Sequence, residues 1–106
     1  MAKWLVLWTI NWSMLPQDQE GRIKQQMMML GMVKADLASG AMTDFGICSG
    51  EDCGYGITGD MSAEELNSWL MRWSPYVTFE ANPVVNADQQ LAGLQNLVEM
   101  MKKLAG

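Results

Sequence analysis

Residues 3–12 read KWLVLWTINW and predict the strand around which the fold is built. The segment is rich in Trp, Val, Ile and Thr, which favour extended backbone, and it carries no helix caps. Because side chains alternate along a strand, one face is wholly apolar and consists of Trp4, Val6, Trp8, Ile10 and Trp12. The opposite face has Leu5 and Leu7 at its centre. Both faces of this strand therefore require cover.

The remaining sequence predicts three helices and three further strands. Helical periodicity and end signals place helices at residues 17–38, 62–74 and 87–104. Strand-forming runs occupy residues 42–48, 54–59 and 77–81, and a polar turn joins the first two. The order strand, helix, strand, strand, helix, strand is that of the split βαβ unit, a ferredoxin-like α+β fold with an antiparallel sheet and helices on one face. We expect one such domain over residues 1–106, with a C-terminal helix appended.

Each predicted helix carries an apolar stripe that we expect to be buried. Ser62 and Glu65 form a capping box at the start of the second helix, and Asn86 caps the third. The three stripes consist of Ile23, Met27, Leu30 and Leu37; of Leu66, Trp69, Leu70 and Trp73; and of Leu91, Leu94, Leu97, Val98 and Met101.

The sheet face without helices predicts a homodimer. In an isolated subunit this open face would present Leu5, Leu7 and Cys48 to water. We expect the same face of a second copy to cover it, which makes the dimer isologous. Five Trp and eleven Met supply the chain with apolar surface beyond the needs of a small core.

Charge and residue content exclude several functions. Seven Lys and Arg against twelve Asp and Glu give a net charge of −5, so the average surface repels nucleic acid. The chain has no His, which removes His-based nucleophile pairs and His-ligated metals. No apolar stretch is long enough to span a membrane, and residues 4–10 lack the flanks of a signal peptide. With only two cysteines, these features favour the cytoplasm.

Two motifs resemble a known family. They are Trp8-Thr9-Ile10 and the more distinctive Trp69-x3-Trp73-Ser74-Pro75-Tyr76-Val77-x-Phe79-Glu80-x-Asn82-Pro83-Val84-Val85. Both are similar to an uncharacterised bacterial domain family of the dimeric α+β barrel superfamily, which also holds antibiotic-biosynthesis-type monooxygenases and muconolactone isomerases. The resemblance implies two ferredoxin-like subunits joined sheet to sheet, with a ligand cleft between sheet and helices in each. It implies no known reaction, and residues 27–59 depart from the family pattern, so no pocket residue is carried over there.

Six aromatic residues are candidates for the lining of this cleft: Trp8, Trp12, Phe45, Tyr55, Trp69 and Trp73. Such rings can stack on a flat ligand. The simpler interpretation, which the regular spacing favours, is that they fill an ordinary core between sheet and helices. The ligand hypothesis requires the helices to stand off the sheet.

The methionines, the cysteines and the strand carboxylates have simpler explanations than a catalytic or metal-binding role. Residues 27–29 are consecutive methionines that point in three directions on a helix, so packing explains them better than a Cu(I) site. Cys48 and Cys53 flank a turn whose acidic residues raise thiol pKa values, which disfavours redox chemistry. Asp44 and Glu80 are the strand carboxylates best placed for acid–base work, yet we expect both on the face opposite the aromatic rings. The sequence predicts no metal and no cofactor, and no catalytic residue is assigned.

Three functions remain open at this point. The leading hypothesis is a cytoplasmic homodimer that binds a small, partly apolar molecule in the cleft. The alternatives are a non-catalytic protein interaction module and a cofactor-free enzyme of the monooxygenase or isomerase type. A cavity next to Trp8 and Trp69 separates the first from the second. The enzyme hypothesis further requires Tyr55 or a carboxylate to reach into that cavity.

Overall fold

The computed structural model describes residues 1–50 and 52–106 and has the predicted α+β architecture. Its elements are β1 (Lys3–Ile10), α1 (Gln19–Ser39), β2 (Met42–Ile47), β3 (Cys53–Thr58), α2 (Ala63–Met71), β4 (Val77–Val84) and α3 (Ala87–Ala105). A short 3-10 helix, Trp12–Met14, follows β1. The four strands form one antiparallel sheet in the order β2-β3-β1-β4. None of the helices in these described ranges is long and apolar enough to cross a bilayer.

The strand β1 lies inside the sheet and determines the length of its neighbour β4. Each β1 residue from Lys3 to Ile10 pairs with a β4 residue, from Val84 back to Val77. This pairing extends β4 three residues past the predicted end at Ala81 and takes Pro83 into the strand. A proline is tolerated there because β4 is an edge strand, with one side free of ladder hydrogen bonds.

The predicted helix caps are present. The Ser62 hydroxyl accepts a hydrogen bond from the Glu65 backbone N–H at 3.1 Å, and the Glu65 carboxylate accepts one from the Ser62 N–H at 3.2 Å. Asn86 and Gln89 form the same reciprocal pair at 2.8 Å in both directions. These bonds satisfy backbone donors that a helix start would otherwise leave free. The starts of α2 and α3 are therefore encoded locally.

The core lies between α1, α2 and one face of the sheet. Its buried members are Leu15, Met29, Val33, Met42 and Trp73, with Trp12, Phe45, Trp69, Val77 and Phe79 among the partly buried side chains packed against them. On β1 the helix-facing side chains include Val6 and Trp8, both buried. This face is the one on which the alternation predicts the apolar side chains.

The predicted apolar stripe of α1 is wrong. Ile23, Met27, Leu30 and Leu37 are 39–67% exposed, whereas Met29, Val33 and Asp36 turn toward the core. The helix is apolar on more than one side, so periodicity alone could not select the buried side. Asp36 sets the rotation, because its carboxylate is 2.7 Å from the Arg72 guanidinium at the end of α2. We name the exposed set Ile23, Met27, Leu30 and Leu37 the outer stripe of α1.

The burial predicted for the α3 stripe is also wrong within this chain. Leu91, Leu94, Leu97, Val98 and Met101 are all 50–60% exposed, and α3 has no buried residue. Only Val85 and Asn86 separate α3 from β4, so the helix leaves the end of the edge strand and extends beyond the sheet. The molecule therefore measures 69 × 25 × 25 Å.

The sheet face opposite the helices is open. Leu7 is 41% exposed there, and Leu5 is half-buried. The register sets Leu5 beside Ile57 and Leu7 beside Tyr55 on β3, with Asn82 and Glu80 opposite them on β4. Because directly paired residues share a face, this open face has an apolar centre with a polar margin.

A candidate ligand cavity between sheet and helices

A cavity of about 340 Å³ separates the helices from the sheet. Its walls come from β1, β2, β3, β4, α1 and α2, and they are lined by Val6, Trp8, Ile10, Gln26, Met29, Leu30, Val33, Met42, Phe45, Ile47, Gly56, Trp69, Trp73, Val77 and Phe79. Leu30 and Ile47 belong to this lining and are also 42% and 48% exposed. The cavity therefore opens to solvent beside these two residues.

Glycines of β3 make room for the aromatic floor of the cavity. Gly54 pairs with Trp8 across the sheet, and a side chain at Gly54 would collide with the Trp8 ring and with the Gly46 carbonyl oxygen. The Trp8 indole thus lies over bare backbone, and its Nε1 donates a hydrogen bond to the Tyr55 carbonyl oxygen at 3.3 Å. It stacks on Phe45, with ring centroids 5.7 Å apart and planes 5° from parallel. The result is a flat aromatic surface.

The opposite wall is held in place by an arginine. The Arg72 guanidinium lies 5.2 Å from the ring centroid of Trp69 and 5.9 Å from that of Trp73. It also donates hydrogen bonds to both carboxylate oxygens of Asp36, at 2.7 and 3.4 Å. One side chain therefore contacts the Trp69 indole on α2 and the Trp73 indole in the turn after it, and it ties this segment to α1.

Polar groups are few in the cavity. Among the described residues that line it, Gln26 supplies the only polar side chain other than the indoles. The Trp69 Nε1 is the one buried side-chain nitrogen or oxygen without a hydrogen-bond partner in the described part of the chain. An unpaired buried donor costs about 1–3 kcal/mol, so an acceptor brought by a ligand would relieve a real penalty.

Four of the six aromatic candidates line this cavity, namely Trp8, Phe45, Trp69 and Trp73. Trp12 does not, because β1 ends at Ile10 and the 3-10 helix breaks the alternation before Trp12. Its indole Nε1 donates to the Asp52 carboxylate at 2.6 Å, and the Arg22 guanidinium lies 5.4 Å from its ring centroid. It lines a smaller polar depression beside the start of α1.

Tyr55 lies on the opposite, open face of the sheet. Gly54 and Gly56 flank it on β3 and face the helices, so alternation turns the tyrosine away from the cavity. Its hydroxyl donates a hydrogen bond to the Asp44 carboxylate at 3.0 Å. This bond raises the pKa of Tyr55, and burial and the negative charge of Asp44 raise it further. The placement of Tyr55 in the cleft is therefore corrected.

The strand carboxylates also lie away from the cavity. Asp44 bonds Tyr55 on the open face, and Glu80 pairs in register with Leu7, which faces the same way. This agrees with the face predicted for both. The described residues that line the cavity include neither an aspartate nor a glutamate.

The α1 residues and several strand residues of the lining are not among the cleft residues predicted from the sequence. The missed side chains include Gln26, Met29, Leu30 and Val33 on α1 and Ile47 on β2. On α1 the available signal was misleading, since its more regular stripe turned out to be the outer one. Val77 and Phe79 had a usable signal, because alternation along β4 places both on one face.

The consecutive methionines of α1 differ in exposure, and the two cysteines are free thiols. Within residues 1–50 and 52–106, no group of three or more His, Cys, Asp or Glu side chains is arranged to hold a metal ion. Met27 and Met28 are exposed while Met29 is buried, so the methionine run diverges. Cys48 and Cys53 are free thiols. A hydrogen bond with Cys48 raises the pKa of the Cys53 thiol, and burial and the charges of Cys48 and Asp52 raise it further.

Comparison with known proteins identifies the family and no activity. A search of curated proteins gave no match. The sequence profile of one family, described as a domain of unknown function, matches residues 3–103 and so covers every strand and nearly all of α3. The chain therefore belongs to the family DUF3303, domain of unknown function.

Proposed function

We propose that the cavity between sheet and helices binds a small, flat, largely apolar molecule. The observation that carries this proposal is the cavity next to Trp8 and Trp69. A protein interaction module would not need such a cavity, because a filled core would be enough to hold its fold. Its volume of about 340 Å³ lies at the small end of the range typical of ligand sites, about 300–1,000 Å³. A compact ligand with one or more rings suits the stacked surface of Trp8 and Phe45.

The lining favours a neutral ligand. None of the described lining residues is charged, and burial of an unpaired charge in such a site is costly. The ligand carries a hydrogen-bond acceptor for the Trp69 Nε1, which has no protein partner, or for the Gln26 amide. Neutral aromatic ketones, esters and ethers meet these requirements.

Binding without catalysis is the form of the proposal that the side chains support best. The enzyme alternative requires a carboxylate or Tyr55 in the cavity, whereas Asp44, Glu80 and Tyr55 lie on the open face. The lining offers stacking, apolar contact and hydrogen bonding, but among described residues no carboxylate to move a proton.

We further propose that the domain is a ferredoxin-like subunit of the dimeric α+β barrel superfamily. The element order and the strand order β2-β3-β1-β4 support this assignment, as does a family match that treats residues 3–103 as one domain. The apolar centre of the open face, around Leu5, Leu7 and Ile57, supports a homodimer formed sheet to sheet. The cytoplasmic location stays a prediction of the sequence.

A neutral fluorescent ketone, 6-propionyl-2-(dimethylamino)naphthalene, tests the cavity directly. Gly56→Leu fills the cavity from its floor, and Gly31→Leu adds the same side chain on α1, where an added Cβ meets no atom within 4 Å. We expect Gly56→Leu to weaken binding of the probe at least about tenfold, and Gly31→Leu to leave it unchanged. Trp69→Phe removes the free donor and is expected to weaken binding about fivefold.

Thermal unfolding of each variant serves as the control for folding, and saturating probe should raise the Tm of the unsubstituted protein. Equal affinity in the Gly56→Leu and Gly31→Leu proteins, with both folded, would contradict the proposal. So would the absence of binding by the unsubstituted protein.

A further inference from the structure

The C-terminal helix α3 has an apolar stripe that its own chain leaves uncovered. Leu91, Leu94, Val98 and Met101 follow one another at intervals of three, four and three residues, and Leu97 and Leu104 widen the stripe on one side. All of these side chains are at least half exposed. A capping box starts the helix, and Lys102 and Lys103 lie in its last turn, where cations stabilise a helix. The helix is thus locally well formed but lacks a packing partner.

An isolated helix with this much apolar surface is costly in water. Helical stability in proteins comes mainly from packing of the amphipathic face, and an exposed apolar patch of this kind indicates an interaction site. The two-residue connection to β4 directs α3 beyond the sheet, so none of the described elements of its own chain covers it.

The outer stripe of α1 has the matching form. Ile23, Met27, Leu30 and Leu37 are exposed. Their spacing of four, three and seven residues places them on one side of the helix. The helix α1 has 21 residues and α3 has 19, so the two stripes have similar lengths. One chain therefore carries two exposed apolar helix faces of similar extent that do not contact each other within it.

The width of the α3 stripe argues against two α3 helices forming a coiled coil. A stable coiled coil uses three or more heptads and charged residues beside a narrow seam. Here the stripe spans barely more than two heptads, and Leu97 and Leu104 occupy positions beside the seam. A stripe of this width suits a globular surface.

We propose that α3 of one copy packs on the outer stripe of α1 in a second copy, with the contact repeated reciprocally. The two stripes, residues 91–104 and 23–37, each extend about 20 Å along their helices. Each of their ten partly exposed side chains offers about 60 Å² of apolar surface, so two reciprocal contacts bury about 1,200 Å² in total, which is the lower end of the range of specific interfaces, about 1,200–2,000 Å². Because Leu30 belongs both to the outer stripe and to the cavity lining, α3 of the partner copy would also extend the wall of the cavity. Only this last consequence rests on the proposed ligand function.

Photo-cross-linking tests the contact without any ligand. A benzophenone amino acid replaces Leu94 in the stripe or, as the matched control, Asn96, which lies on the opposite side of α3. Unlabelled protein is mixed with ¹⁵N-labelled protein, left to exchange subunits and then irradiated. The cross-linked peptides are identified by mass spectrometry, and a link between an unlabelled and a labelled peptide joins two copies. We expect mixed-isotope links from position 94 to peptides of residues 19–39 and a yield at least about tenfold lower from position 96.

A charge in the stripe supplies the second measurement. Leu94→Glu should raise the dimer dissociation constant at least about tenfold in sedimentation experiments, while Asn96→Glu should leave it unchanged. Links confined to one copy, links only between two α3 helices, or links only to the open sheet face would overturn the proposal. A Leu94→Glu protein that associates as tightly as the unsubstituted one would do the same.

Discussion

The Arg72 guanidinium donates two hydrogen bonds to the Asp36 carboxylate, at 2.7 and 3.4 Å, and so links the end of α2 to α1. Asp36 is only 8% exposed, and it is one of two buried polar residues among the residues described. The pair sets the rotation of α1 and the position of the indoles above the cavity. The ion pair therefore also helps to hold the shape of the cavity.

Removal of Arg72 is expected to destabilise the fold. Arg72→Met leaves the buried Asp36 charge without a partner, and we expect a loss of about 2–3 kcal/mol in the free energy of unfolding. The exposed pair between Lys24 and Glu20, at 3.1 Å, supplies the control: Lys24→Met should cost less than about 0.5 kcal/mol. Urea denaturation measures both variants. A difference between them of less than about 0.5 kcal/mol would contradict the role assigned to Arg72.

Gly54 is predicted to tolerate no side chain. In Gly54→Ala the new methyl group meets the Trp8 ring and the Gly46 carbonyl oxygen, and the backbone oxygen cannot move aside cheaply. We expect a loss of about 3 kcal/mol or more from this overpacking. Gly31→Ala, on the exposed side of α1, should instead stabilise the protein by about 0.5–1 kcal/mol. Thermal and urea unfolding give both values, and a neutral Gly54→Ala would show that Trp8 does not lie over this glycine.

Tyr55 is predicted to ionise later than an ordinary tyrosine. The hydrogen bond to Asp44 favours the neutral phenol in the folded state, so the pKa is raised from 10.0. The resulting contribution to stability is complete below the unfolded-state pKa and is lost as the pH rises through the folded-state pKa. Absorbance at the tyrosinate band should therefore show a late-titrating tyrosine that disappears in Tyr55→Phe and remains in Tyr76→Phe. Loss of the late step in Tyr76→Phe would reverse the assignment.

Cys53 is predicted to alkylate slowly near neutral pH. Its raised pKa lowers the thiolate fraction, and the thiolate is the reactive species. The largest cause is the hydrogen bond with Cys48, so Cys48→Ala should shift the pH–rate profile of Cys53 to lower pH. Ser49→Ala should leave the profile in place. Iodoacetamide labelling followed by peptide mass spectrometry measures the rates, and an unshifted profile in Cys48→Ala would exclude the Cys48 contact as the cause.

Much of the fold follows from local signals. The alternation along residues 3–10 correctly identified the helix-facing side of β1, because side-chain direction in a strand is fixed by backbone geometry. Ser62 and Asn86 marked the starts of α2 and α3, because capping bonds form between residues three positions apart. The same alternation correctly kept Asp44 and Glu80 away from the aromatic side.

Part of the candidate site was predictable for the same reason. Trp8 and Phe45 lie on strands, Trp69 lies on α2 and Trp73 lies in the turn after α2, and all four line the cavity. Trp12 and Tyr55 were misplaced: the first lies beyond the end of β1, and the second lies between two glycines that face the helices. The Trp12 error came from extending the strand to residue 12, and the Tyr55 error came from treating aromatic character as an indication of direction.

The sequence by itself determined the order of the elements, the starts of α2 and α3 and the apolar side of β1, because each depends on residues a few positions apart; the predicted end of α2 at residue 74 is three residues beyond its end at Met71. Tertiary structure decided which side of α1 is buried, since that choice depends on Asp36 meeting Arg72, which lies on a different helix. It also decided that the α3 stripe stays uncovered in its own chain, because the short connection to β4 carries the helix past the sheet. Periodicity shows that a helix has an apolar side, whereas only the arrangement in space determines what that side meets.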